Sequence, residues 1–142
     1  MVILLKNIVM FELSKNFNTS YLESFLYGIL YKNVSNNVFA STLPNNIHSK
    51  WNDMVIIDCE SPMIDFDSHA NGTIFIHLYA RPLSNGTKNV MKMKELEDKL
   101  CNVIENNNND DVRISRLSTQ SGYDTNIKWH RNSIEFIINI LN

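Results

Sequence analysis

Cysteine is scarce in this 142-residue chain: Cys59 and Cys101 are the only two, they lie far apart and form no CxxC pair. They read as two reduced thiols in a cytosolic protein rather than as a disulfide. An excess of basic charge is also missing. The formal net charge is −2 and the pI about 6.0, so no global basic field calls for nucleic acid. No apolar run approaches the length needed to span a membrane. The apolar opening, Met1 to Leu5, has no basic leader, meets Lys6 at once and leads to no small-residue cleavage site, so it does not read as a signal peptide. Catalytic signatures are absent too: there is no GxSxG, P-loop, GxGxxG or HExxH, and no cysteine-enzyme motif surrounds Cys59. The expectation is a protein that is not an enzyme, with no catalytic residues, no metal and no cofactor.

What is present is a globular composition. Hydrophobic residues make up 44%, too many for a disordered chain, and the length suits one domain with one core. About twenty asparagines are several-fold above average usage, which suits an AT-rich coding genome. In such a chain the glycosylation triplets at Asn18, Asn33, Asn71 and Asn85 read as chance matches.

The stretch from Trp51 to Pro82 organises the pattern. Met54 to Ile57 and Thr73 to Ala80 are dense apolar runs rich in β-branched and aromatic residues, short enough to be strands. In the second run Ile74, Ile76, Leu78 and Ala80 share one face, and Phe75, His77 and Tyr79 the other. Apolar residues on both faces predict a mid-sheet strand covered on both sides, by helix or by another subunit. Cys59 to Gly72 between the runs reads as a polar loop.

Two helices are expected. Ser20 and Glu23 have capping-box spacing, and Leu22, Phe25, Leu26, Ile29 and Leu30 form one apolar face, ended by Asn33, Asn36 and Asn37. Gly28 inside this helix costs about 1 kcal/mol relative to Ala, which packing must outweigh. The second helix runs from about Asn89 to Glu105, with Val90, Met93, Leu96, Leu100, Val103 and Ile104 as its stripe and Glu95 and Lys99 in the favourable i, i+4 order. Val38 to Ser41 is a short strand broken by Leu43 and Pro44. Val112, Ile114 and Leu117 mark a further strand, Ser118 to Thr125 a polar connection, and Ile127 to Leu141 a long final strand with a bulge or bend near Asn132. The fold class is α+β: an antiparallel or mixed sheet of about four to five strands packed by two amphipathic helices. Residues 1–17 form an apolar segment or docking arm, helix and strand both being open for residues 1–13, and residues 18–142 form the single domain.

Several residues carry alternative readings. Asp58, Glu60, Asp65 and Asp67, with His69 nearby, make either an oxygen-rich cation site or a solvated acidic loop. The spacing fits no EF-hand, which favours the loop. His77 between Phe75 and Tyr79 reads as a half-buried, hydrogen-bonded histidine unless a partner and a cleft make it a base. Trp129, His130 and Arg131 could stack on or bind the phosphate of a nucleic acid; with Tyr123 they fit equally a strand-edge cluster at a subunit contact, since Trp and Arg are enriched at interface hot spots.

The order of elements resembles the tail-terminator and head–tail joining proteins of tailed bacteriophages. An amphipathic helix leads to a short strand and a proline (Val38 to Pro44), then to Trp51-x-Asp53-Met-Val-Ile-Ile57, a polar loop, and Gly72-Thr-Ile-Phe-Ile-His-Leu-Tyr79. A Lys94-Glu-Leu-Glu-Asp-Lys-Leu100 helix and two closing strands ending in Ile134-Glu-Phe-Ile-Ile-Asn-Ile140 complete it. The asparagine content would suit an AT-rich phage, such as a crAss-like one. The resemblance lies in element order from about residue 18 onward and carries over no single functional residue.

The resemblance implies a structural virion protein, assembled in the bacterial cytoplasm. It would form a six- or twelve-fold homo-oligomeric ring at the neck or head-proximal tail end. Its partners would be portal or connector proteins and tail or neck proteins, with DNA passing without sequence-specific binding and no membrane involved. Asp58, Glu60, Asp65, Asp67 and His69 would then belong to a channel or interface loop. A different class of reading is a small intracellular phage-encoded binding module acting on a host protein. A third, a small hydrolase or metal enzyme, would use Asp58, Asp65, His69 or His77.

Overall fold

The computed structural model describes residues 19–59, 64–65 and 69–141. The expected N-terminal arm (1–17), Glu60 and Asp67 lie outside the described residues.

The elements follow in the order α1 (Thr19–Leu30), β1 (Val38–Ala40), β2 (Asp53–Asp58), β3 (Ile64–Asp65), β4 (His69–Ala80), α2 (Val90–Asn107), β5 (Val112–Asp124) and β6 (Trp129–Leu141). The protein is α+β, with five strands side by side in the order β1-β2-β4-β6-β5 and the short β3 pairing on β4. β1 runs parallel to β2, and every other pairing is antiparallel, so the sheet is mixed.

Both helices pack on one face of the sheet. In α1 the period-3.6 stripe buries Leu22, Phe25, Leu26 and Leu30, and in α2 it buries Met93, Leu96, Leu100 and Ile104. Across from them stand Val55 and Ile57 of β2, Ile74, Ile76, Leu78 and Ala80 of β4, Ile134, Phe136, Ile138 and Ile140 of β6, and Val112 and Ile114 of β5. Alternate residues of β2, β4 and β6 and of the start of β5 thus feed one core, as the two-residue strand period requires. Val90, read as part of the α2 stripe, is instead exposed before the stripe begins.

The opposite face carries a smaller cluster at one end. Met54, Ile56, Tyr79 and Trp129 are buried there, with Phe39, Leu43, Ile47, Trp51 and Ile127 packed around them. The 41–51 connection therefore supplies cover within the chain to that end of the second face of β4.

Asparagines organise the element ends. Asn33 Nδ2 donates to the Ile29 carbonyl at the close of α1 (2.9 Å). Asn89 caps α2 by accepting from the Lys92 amide (3.0 Å), and Asn107 Nδ2 donates to the Val103 carbonyl (2.7 Å). Asn108 acts as a piece of strand: its Oδ1 accepts from the Ile114 amide (2.7 Å) and its Nδ2 donates to the Ile114 carbonyl (3.1 Å). The edge of β5 is thereby closed at that residue.

Four further local expectations differ from the structure. Ser20 lies inside α1, which already begins at Thr19, so it does not stand before the helix as a cap. Cys59 to Gly72 is not all loop, because β3 pairs with Ala70 and Asn71 and β4 begins at His69. Ser118 to Asp124 is strand, paired with β6 from Glu135 back to Trp129, and only 125–128 turns the chain. There Asp124 Oδ1 accepts from the Asn126 and Ile127 amides, and Lys128 takes a left-handed φ of 61°. Finally, the irregularity falls at Leu117 on β5, between Arg116 and Ser118, and Asn132 pairs regularly with Ser121. A bulge on either strand of a hairpin relieves the same mismatch, and β5 takes it where its side chains are exposed.

Candidate functional site

Adjacent antiparallel partners project to the same face, so register decides which polar residues meet. On the face away from the helices, Ile56 pairs with His77, His77 with Ser133, and Ser133 with Gln120. His77 Nδ1 lies 2.7 Å from Ser133 Oγ, and His77 Nε2 lies 3.7 Å from Asp58 Oδ2. Phe75 stacks almost parallel on the imidazole, with ring centroids 6.0 Å apart and planes 5° from parallel. Burial lowers the His77 pKa from its ordinary value. Asp58 pulls the other way, by charge and hydrogen bond, and Arg131 adds to the lowering. The neutral imidazole is favoured, so one ring nitrogen remains an acceptor.

Asp58, His77 and Ser133 thus form a line of carboxylate, imidazole and hydroxyl. Ser133, however, sits mid-strand, between β4 and β6's other partner β5, with its main chain committed to the ladder. Acyl transfer needs free amides beside the hydroxyl to hold an oxyanion, whereas Ser133 is paired with His77 on one side and Gln120 on the other. The line is a cross-strand hydrogen-bonded group. It also takes Asp58 out of the expected acidic loop and joins it to the sheet face. Of the rest of that group, Asp65 lies on β3, opposite Ala70, and His69 opens β4, opposite Leu141. Among the described residues no three His, Cys, Asp or Glu side chains converge as a metal site would need.

Trp129, His130 and Arg131 do not form a strand-edge cluster. β6 lies inside the sheet, between β4 and β5, and consecutive residues point to opposite faces. Trp129 is buried in the smaller cluster, and the Arg81 guanidinium lies 4.7 Å from its ring centroid. Arg81 also donates from Nε to the Trp51 carbonyl (2.7 Å) and from Nη2 to the His48 carbonyl (3.2 Å), tying the 48–51 segment over Trp129. His130 faces the helix side, where Tyr123 meets it edge-on at 4.9 Å. Arg131 lies across Gly122, with Nη2 3.0 Å from where a Cβ at that residue would stand. His130 Nδ1 and Arg131 Nε are buried without a hydrogen-bond partner. Of the four residues, Tyr123 is the exposed one.

Cys59 is buried, and burial, helped by the Glu23 and Asp58 carboxylates, pushes its thiol up to about 12. The thiolate needed for nucleophilic chemistry is therefore scarce at neutral pH.

A second grouping is not visible from local sequence. Lys92 Nζ pairs with Asp53 Oδ2 at 2.9 Å, and Asp53 Oδ1 accepts from Ser35 Oγ at 2.5 Å. α2, β2 and the turn after α1 meet there around a cleft. The only sequence signal is a pair of lysines, Lys92 and Lys94, in the first turns of a helix whose N-terminus carries no acid, against the preference of the helix dipole. Among the described residues no helix is long and apolar enough to cross a membrane. The chain matches no protein-family model and no curated protein.

Proposed function

We propose that this chain is a structural virion protein that forms an oligomeric ring at the phage neck or head-proximal tail end. The ring joins portal or connector to tail components around the DNA channel. The observation that carries the reading is the edge of the sheet. β5 is a thirteen-residue edge strand, and no described strand pairs on its outer side. Asn108 and Asn109 cover that side at Ile114 and Val112, and Leu117 and Tyr123 stand exposed along the remainder. A long open edge is an aggregation hazard unless something pairs with it. Head-to-tail contacts that close into a ring give every copy the same cover and leave no free end. In this reading Tyr123 and Leu117 lie at the subunit contact. Glu60, Asp65 and Asp67 then supply negative charge that repels DNA phosphates, so the duplex slides without sticking.

The test is the mass of the purified protein by light scattering, with negative-stain images of the same sample, alone and mixed with its portal and tail proteins. Closed rings of one size with a central hole, in either sample, are expected. A chain that stays monomeric in both overturns the reading. Capture of one host protein by that monomer would then favour an intracellular binding module.

A further inference from the structure

A cleft of about 480 Å³ opens at the corner where α1 ends, β1 and β2 begin, and α2 starts. Four of the chain's lysines line it: Lys32, Lys50, Lys92 and Lys99, with Ser35, Asn36, Asn37 and Asn52 between them and Asp53 as the one carboxylate of the lining. Their sequence positions are scattered, and tertiary structure alone brings them together. In a chain of net charge −2 this is a local reversal of sign.

The charges are not mutually cancelled. Asp53 is engaged by Lys92 and Ser35, and Lys99 pairs with Glu95 at 2.8 Å. Burial disfavours the charged Lys92, but hydrogen bonds and charge from Asp53 and Glu95 outweigh it and raise the pKa, so this lysine stays protonated. Lys32 and Lys50 have no carboxylate partner among the described residues, and Lys32 lies over the Tyr31 ring at 5.5 Å. The side-chain amides of Asn36 and Asn52 make no hydrogen bond among the described residues, whereas Asn37 is committed to the Asp53 carbonyl. The negative pole of α1, which points this way, is muted because the Tyr27, Ile29 and Leu30 carbonyls are all satisfied. The positive pole of α2 adds to the lysines through its first turn.

We infer that this cleft binds a polyphosphate group, supplied either by a nucleic-acid backbone or by the tail of a nucleotide. Lysine ammoniums are compact charges that take phosphate oxygens from many directions. No arginine lines the cleft to offer the planar fork that selects a single carboxylate. Two unpaired ammoniums, two paired ones and two free amides suit a ligand carrying several charges in a row. Recognition of a base is not built in, because the Trp51 ring already packs against Phe39 and His48. The site would therefore read phosphate and not sequence.

This inference stands independently of the ring. Asp53 of the cleft and Asp58 are at opposite ends of β2, about 17 Å apart at the usual rise per strand residue. The cleft and the acidic segment after Asp58 thus leave the sheet at different ends.

The experiment is an amide chemical-shift titration of the whole protein at low salt, with tripolyphosphate and, separately, with a mixed-sequence single-stranded oligonucleotide. Shifts are expected at residues 32–37, 50–53 and 92, fading as salt is raised. Shifts with tripolyphosphate alone assign a free polyphosphate tail as the source. Shifts with the oligonucleotide at the same amides, with or without tripolyphosphate, assign a nucleic-acid backbone. The double variant Lys32→Gln/Lys50→Gln should bind at least about tenfold more weakly, and Lys94→Gln, outside the cleft, should bind as the parent does. No shifts with either probe, shifts confined to other amides, or undiminished binding by a folded double variant would overturn the inference.

Discussion

Asn132 Nδ2 donates to Glu97 Oε1 across 2.6 Å, joining the interior strand β6 to α2. The same side chain accepts from Lys88 Nζ (3.2 Å) and from Ser121 Oγ (3.0 Å), so one amide serves a helix, the loop before it and the edge strand. Asn132 is only 6% exposed, and Ile134, the next residue along the strand on that face, is apolar core. A buried polar group so fully bonded acts as a register pin, because a slip of β6 would leave all four groups without partners.

Asn132→Ala should therefore cost about 2–3 kcal/mol, more than the loss of one surface hydrogen bond, since Glu97 and Lys88 lose a partner in a part-buried site. Urea unfolding of parent and variant measures it. A change within about 0.5 kcal/mol would show that water replaces the amide without loss.

The glycines at 28 and 122 should respond differently to alanine. Gly28 lies exposed inside α1, and a Cβ there would meet nothing within 4 Å, so no packing compensates the poor helix propensity expected to be outweighed there. Gly28→Ala should stabilise by about 0.5–1 kcal/mol. A Cβ at Gly122 would stand 3.0 Å from Arg131 Nη2, the end of a flexible side chain. Gly122→Ala should cost less than about 1 kcal/mol, and the cost should vanish in an Arg131→Ala background. A thermal-melt double-mutant cycle reads both effects, and additivity at 122 and 131 would refute the contact as the cause.

The His77 site predicts the direction of a pH dependence. Burial holds its folded pKa below the ordinary 6.5, despite Asp58. As pH falls, the unfolded chain takes the proton first. The neutral imidazole's contribution is thus complete above about pH 6.5 and declines below it until the folded group also protonates. In His77→Asn the loss of stability between about pH 7 and pH 5 should be shallower than in the parent. Urea midpoints across that range test it, and parallel curves would remove His77 from the acid response.

Arg81 clamps the smaller cluster through Trp129 and two carbonyls of the 48–51 segment. Arg81→Ala should cost about 1–2 kcal/mol. It should also shift tryptophan emission to longer wavelength as Trp51 and Trp129 become wetter. Unchanged emission would mean that the segment stays in place without its clamp.

The elements most legible in the sequence were those whose signal is local. The stripes Leu22, Phe25, Leu26, Leu30 and Met93, Leu96, Leu100 define helices because 3.6-residue periodicity needs no distant partner. The β-branched runs at 54–57 and 73–80 define strands for a similar reason. From these alone follow the α+β class, two helices and the central strands.

Tertiary structure decided what depends on pairing across the chain. Ser118 to Asp124 has no apolar alternation, and only its ladder with β6 makes it a strand. Pairing likewise moved the bulge to Leu117 and set β1 parallel to β2. It placed Trp129 in the interior of the sheet, not at an edge. Asp58, His77 and Ser133 meet through register alone, as do the lysines of the cleft through helix and strand placement. Side-chain periodicity acts over a few residues, whereas proximity of charges and hydroxyls 18 to 75 residues apart is fixed by which strands neighbour one another, and no local pattern encodes that.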